Sequence, residues 1–153
     1  MDFAEPWQAS AYQPLDPAHL PPLFVAWNQS MGTPSDVAHS EVRARWEAGD
    51  PGVRNVMQQF ASLARAGRAA FDEGRAAETW PTLMRRAFEL RASIWNITSI
   101  DQTLVQTGEH LGAGVAFAGS GGAVVGCVRD ASELAPMADA YASVGAGFVV
   151  IAR

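Results

Sequence analysis

The residues with the most chemical promise are Gly119, Ser120, Gly121 and Gly122, a glycine-rich turn within the run from Gly112 to Val128. Glycines carry no Cβ, so successive backbone N–H groups can close on a phosphate or a sugar, as a backbone nest does for anions. The same residues also suit a plain tight turn between strands. The segment after the glycines excludes the two commonest nucleotide loops. A Walker loop leads to Lys-Ser or Lys-Thr and a helix, and a dinucleotide fold opens a helix directly, whereas Ala123 to Val128 is strand-like.

Arg91 is the second residue of interest, because it falls on the apolar stripe of a helix. Burying an unpaired charge costs several kcal/mol, so an arginine there needs a partner or a route to water. It either faces a ligand cleft or snorkels past Trp95 with its stem packed. Cys127 is the single cysteine and lies in an apolar run. No intrachain disulfide can form, a reducing compartment is expected, and with nothing nearby to stabilise a thiolate the thiol is structural.

These residues must be positioned by one domain. A chain of 153 residues, 48% hydrophobic, can bury one sizeable core and is expected to fold as a single domain, residues 1–153. A net charge of -5 leaves no basic footprint for nucleic acid. There is neither a basic, apolar leader at Met1 to Trp7 nor a run of ~20 apolar residues for a membrane span, so a cytoplasmic protein is expected.

Prolines at 6, 14, 17, 21 and 22 make residues 1–22 an irregular lead-in. Leu23 to Trp27 reads as a strand. Ser35 and Asp36 offer a cap for a short helix to Trp46, stopped at Gly49-Asp50-Pro51, in which Glu41 and Arg45 form an ordinary four-residue pair worth ~0.2–0.5 kcal/mol. Val53, Val56, Met57, Phe60, Leu63, Ala64, Gly67 and Phe71 form one stripe of a long helix ended by Gly74. Trp80, Leu83, Met84, Ala87, Leu90, Arg91 and Ile94 repeat the spacing in the next, which starts near Ala77. Both stripes are expected to be core. Ile100 to Leu111 is a shorter, less regular helix. After Gly112 the period changes to two, giving strands on either side of the glycines, a helix capped at Asp130 or Ser132 and running through Tyr141, and a last strand at Phe148 to Ile151. The order β, helical block, β, β, α, β predicts an α+β fold. It matches a ferredoxin-like split βαβ sandwich with a four-stranded antiparallel sheet and an inserted helical block.

This order, with Gly112-Ala113 followed by Phe117 to Ala123, resembles the third motif and C-terminal domain of the GHMP kinases. Within that family the resemblance is to the glucuronokinase branch. It is carried by Met1-Asp2-Phe3, Tyr12, Pro14-Leu15-Asp16, Leu20 to Leu23, Ser35-Asp36, His39-Ser40, Val42-Arg43, Arg45-Trp46, Gly49-Asp50, Leu90-Arg91 and Gly119 to Val125. The resemblance implies ATP-dependent phosphorylation of a sugar or sugar-acid hydroxyl, with Gly119, Ser120, Gly121 and Gly122 as the third-motif loop. It places the loop after the first strand beside the substrate, so Ser35, His39 and Arg43, with Arg91, become candidate sugar or phosphate contacts. An arginine fork suits a uronate carboxylate. No metal role is expected for His39.

The family's phosphate-binding segment, Pro-x-x-x-Gly-Leu-Gly-Ser-Ser-Ala at a helix N-terminus, does not occur in these residues. The main ligands of ATP and Mg2+ are therefore expected outside them, on an N-terminal kinase half supplied as a separate chain or missing segment, and the chain alone is expected to be inactive. The family's Lys-Phe-Thr-Gly reads Ala116-Phe117-Ala118-Gly119 here, so the loop must act through its backbone. The second expectation is a non-catalytic ligand-binding or assembly module that kept the fold. A homodimer fits either.

Overall fold

The computed structural model describes residues 14–28 and 35–151, with the backbone alone for 35–39. The expected lead-in therefore lies partly outside the described residues, as do Met1-Asp2-Phe3 and Tyr12. Its described part holds a 3-10 turn at Pro17–His19, capped by Asp16, which accepts the Ala18 N–H at 2.9 Å. Strand β1 (Leu23–Asn28) comes next. Four helices succeed it, α1 (Ser35–Glu47), α2 (Pro51–Asp72), α3 (Ala76–Ala92) and α4 (Ser99–His110). The chain closes with β2 (Gly114–Phe117), β3 (Ala123–Cys127), α5 (Leu134–Ser143) and β4 (Ala146–Ile151).

Local chemistry sets the boundaries. Asp50 caps α2 by accepting the N–H groups of Gly52 at 2.8 Å and Val53 at 3.3 Å, with Pro51 at the first helical position where its missing N–H is no loss. Before α5, Asp130 and Glu133 form a reciprocal capping box around a 3-10 turn at Ala131–Glu133.

The sheet order is β2-β3-β1-β4 with every neighbouring pair antiparallel. This is the predicted split βαβ arrangement, with the helical block inserted between β1 and β2. Alternation puts Phe24 and Ala26 of β1 on one face, where both are fully buried with Val115 and Val124 of the sheet against Leu104 and Val105 of α4 and Met137 and Tyr141 of α5. Phe24 stacks on Phe148 at 5.1 Å between ring centres. Full burial of one such side chain contributes about 1.5–3 kcal/mol.

A second cluster, Val42, Val53, Val56, Leu90 and Ile94, ties α1, α2 and the end of α3 together. The two long stripes are thus core, with Met57, Phe60 and Leu63 packed partly buried against this cluster, but they stay partly open in the middle. There Phe60, Leu63, Ala64 and Gly67 face Trp80, Leu83, Met84 and Ala87 across an apolar groove of about 290 Å3. The physical reason is that α3 also serves the sheet. Pro81 lies against Gly114 of β2 and Met84 sulfur lies 3.5 Å from Cys127 sulfur, so the stripe is shared between two neighbours.

Candidate functional site

The glycine turn connects β2 to β3. The Ala118 N–H donates to the Ala123 carbonyl at 3.1 Å, closing its base, and the Asn28 N–H donates to the Gly122 carbonyl at 2.9 Å, tying it to the end of β1. Gly121 at φ +149° and Gly122 at φ +76° hold backbone conformations that side chains rarely adopt, so the glycines are required by the turn itself.

Two charged side chains hold the turn. Arg91, in the last turn of α3, donates from Nη2 to the Ser120 carbonyl at 3.2 Å. Its guanidinium carbon lies 4.6 Å from the Phe117 ring centre and 5.0 Å from that of Trp95. Partial burial lowers the Arg91 pKa, and the charge of Asp101 opposes that shift. The head group therefore finds partners within the fold, the two aromatic rings and a loop carbonyl. The chain contains no lysine, so guanidinium is the long cationic group available to it.

Asp101 is the second anchor, and sequence reasoning missed it. It is 7% exposed, the one charged side chain in the core of the described residues. Its Oδ1 accepts the Gly122 N–H at 2.7 Å. Its Oδ2 accepts the Thr98 hydroxyl at 2.8 Å, while Thr98 Oγ1 accepts the Asp101 N–H at 3.1 Å as the α4 cap. The spacing Thr98-x-x-Asp101 was the available signal. It has the form of a capping box, in which the acid at the third position ordinarily turns back to the cap's own N–H. Here the carboxylate reaches the glycine turn instead.

Gly119, Ser120 and Gly121 are left with backbone N–H groups that find no acceptor among the described residues. Three successive donors beside a guanidinium suit a phosphate or carboxylate. No group of three His, Cys, Asp or Glu side chains among the described residues could hold a metal ion.

The remaining candidates sit differently. The side chains of Ser35 and His39 lie outside the described residues. Arg43 is exposed on α1 and donates to Glu47 at 2.9 Å, an ion pair that raises its pKa, and no described contact joins it to the loop. The expected Glu41–Arg45 pair is replaced. Arg45 turns instead to the α2 cap, donating to Asp50 at 2.8 Å, and reaches the Ile94 carbonyl at 3.4 Å. Cys127 is buried, and burial pushes its thiol up to about 11, as expected of a structural thiol.

The chain is 34% identical over 122 residues to glucuronokinase 1 of Arabidopsis thaliana, and 35% identical over 119 residues to probable glucuronokinase 2 of the same organism. Each alignment covers 74% of this chain. Its fold matches the Lin0012 protein of Listeria innocua with a TM-score of 0.71 at 16% identity, covering 85% of this chain and 38% of that one. It matches L. major mevalonate kinase, determined with R-mevalonate, with a TM-score of 0.69 at 15% identity over 81% of this chain and 39% of that one. The chain carries a GHMP-kinase C-terminal domain.

This GHMP-kinase domain is similar in sequence to the two glucuronokinases. It spans about a third of the length of the Arabidopsis relatives, 32% and 31%. No family model matches the sequence. Among the described residues no helix is long and apolar enough to cross a membrane.

Proposed function

We propose that this domain contributes the anion-binding glycine loop and part of the sugar site to ATP-dependent phosphorylation of a sugar-acid hydroxyl. The observation that carries the reading is the set of N–H groups at Gly119, Ser120 and Gly121 with no acceptor among the described residues, beside the Arg91 guanidinium. Phosphoryl transfer depends chiefly on positioning and on stabilising charge, and fixed backbone donors supply both without reorganising. Arg91 faces the uronate carboxylate or the transferred phosphoryl group. Ser35, His39 and Arg43 are carried as sugar-side candidates, of which Arg43 must first leave Glu47.

The loop fits an anion, but the described residues provide no carboxylate cluster for Mg2+. Mg2+ and most of ATP are therefore assigned to polypeptide of the kind that fills the other two thirds of the relatives' length. On this reading the 153 residues alone do not turn over. The bare faces of Trp27, Val149 and Ile151, aligned on one side of β1 and β4, support a domain built to pack against more polypeptide.

The test is D-glucuronate phosphorylation with MgATP by the chain alone and after mixing with the N-terminal two thirds of a similar glucuronokinase. Expected are no product from the former and product from the latter. Turnover by the chain alone would overturn the assignment of ATP and Mg2+. Binding of D-glucuronate without activity in either arm would favour the non-catalytic module.

A further inference from the structure

We propose that Asp101 is the positioning residue of the glycine loop, presetting its free N–H groups for an anion. The proposal rests on the reading of that loop as an anion site. Asp101 stands at the first turn of α4, on a different element from the loop, and its carboxylate is almost fully buried. A buried carboxyl group must be well satisfied, and both of its oxygens are, by the Gly122 N–H and the Thr98 hydroxyl.

The arrangement has a directional consequence. A carboxylate that merely bound the loop would compete with an anionic ligand for its donors. Asp101 takes only the N–H of Gly122, the last glycine, and those of Gly119, Ser120 and Gly121 have no acceptor among the described residues. From the other side Arg91 takes the Ser120 carbonyl, an acceptor that would repel an anion. Arg91 thus removes an acceptor that would oppose an anion, while Asp101 uses one donor to anchor the turn and spares the other three. The fit is close, since a Cβ on Gly121 would stand 3.1 Å from Asp101 Oδ2. The loop is therefore held in its binding shape before any ligand arrives, which lowers the ordering cost of binding.

The experiment uses the full 153-residue chain with inorganic phosphate as the probe, following the amides of Gly119 to Gly122 by NMR and hydrogen exchange. In the parent, the first three amides shift on phosphate addition, while Gly122 shifts little and exchanges slowly. Asp101→Ala speeds Gly122 exchange at least tenfold and weakens phosphate binding at least fivefold. Asp101→Asn keeps an acceptor for Gly122 and stays within about twofold of the parent. Met137→Ala, on the buried face of α5, lowers Tm but leaves the titration unchanged, which separates positioning from general stability. Should Asp101→Ala fail to fold, Thr98→Val keeps the carboxylate, removes one of its donors, and is expected to weaken binding about twofold. Parent-level phosphate affinity in Asp101→Ala, or in Thr98→Val where the alanine variant does not fold, overturns the role of Asp101 alone. A parent chain whose loop amides ignore phosphate overturns the anion-site reading and with it the role of Asp101.

Discussion

Arg91 lies on Phe117, its guanidinium carbon 4.6 Å from the ring centre, while one of its N–H groups donates to the Ser120 carbonyl. The ring orients the planar head group, so that the residue before the loop and the residue within it are both engaged by one side chain. Arg91→Lys keeps the charge and loses the stacked fork. It should weaken phosphate binding at least fivefold, and Arg91→Ala at least tenfold, by calorimetric titration. Parent-like affinity in both variants would remove Arg91 from the site.

Gly114 and Pro81 join α3 to the edge strand. A Cβ on Gly114 would stand 2.3 Å from Pro81 Cα, a backbone atom that cannot swing aside. Gly114→Ala should therefore destabilise by about 1–3 kcal/mol, the range for overpacking a tight contact. Gly112, at φ +84° with nothing within 4 Å of its would-be Cβ, offers a contrast. Its alanine variant should lose about 1–2 kcal/mol through backbone strain alone. Urea unfolding measures both, and a neutral Gly114→Ala would contradict the packing described.

Cys127 should be inert in the folded chain. Its thiol is buried and pushed up to about 11, so little thiolate is present at pH 8 and little reagent can reach it. Reaction with a disulfide reagent at pH 8 should be at least a hundredfold slower than for the chain in urea. Equal rates in the two conditions would show that the β3 thiol is open to solvent.

Acid should loosen the helix starts. The Arg45 and backbone donors at Asp50, and the Ser132 donors at Asp130, hold both carboxyls below the usual range. A carboxyl whose folded pKa is depressed contributes stability fully above its unfolded value, about 3.9, and loses it as pH falls through the lower folded value. Tm should hence stay level between pH 7 and about 5 and fall below about pH 4. The fall should be shallower in Asp50→Asn, which keeps a capping oxygen without the titration. An unchanged acid limb in that variant would exclude Asp50 as a contributor.

The elements were legible wherever a local signal marked them. Gly74 turns to positive φ beside a predicted helix end, and Asp130 is one of the two caps that the sequence offers for the last helix. The Glu41–Arg45 pair did not form, and the core stripes of α2 and α3 are only partly covered in the middle, for one reason. Helical spacing says which residues share a face, but not which neighbour that face will meet. Asp50 outcompeted Glu41 for Arg45, and α3 divides its packing between α2 and β2.

From the order of its runs alone the sequence determined an α+β chain with a glycine turn between two strands, and its collinear motifs marked the family. Only the tertiary structure decided what holds the turn. Asp101 and Gly122 are separated by 21 positions and Arg91 and Ser120 by 29. No periodicity links such pairs, because their meeting depends on where α3 and α4 end relative to the sheet. Backbone conformation at Gly121 and Gly122 stems from residue type, whereas the choice of which N–H groups are taken and which are left free is made by side chains arriving from two other elements.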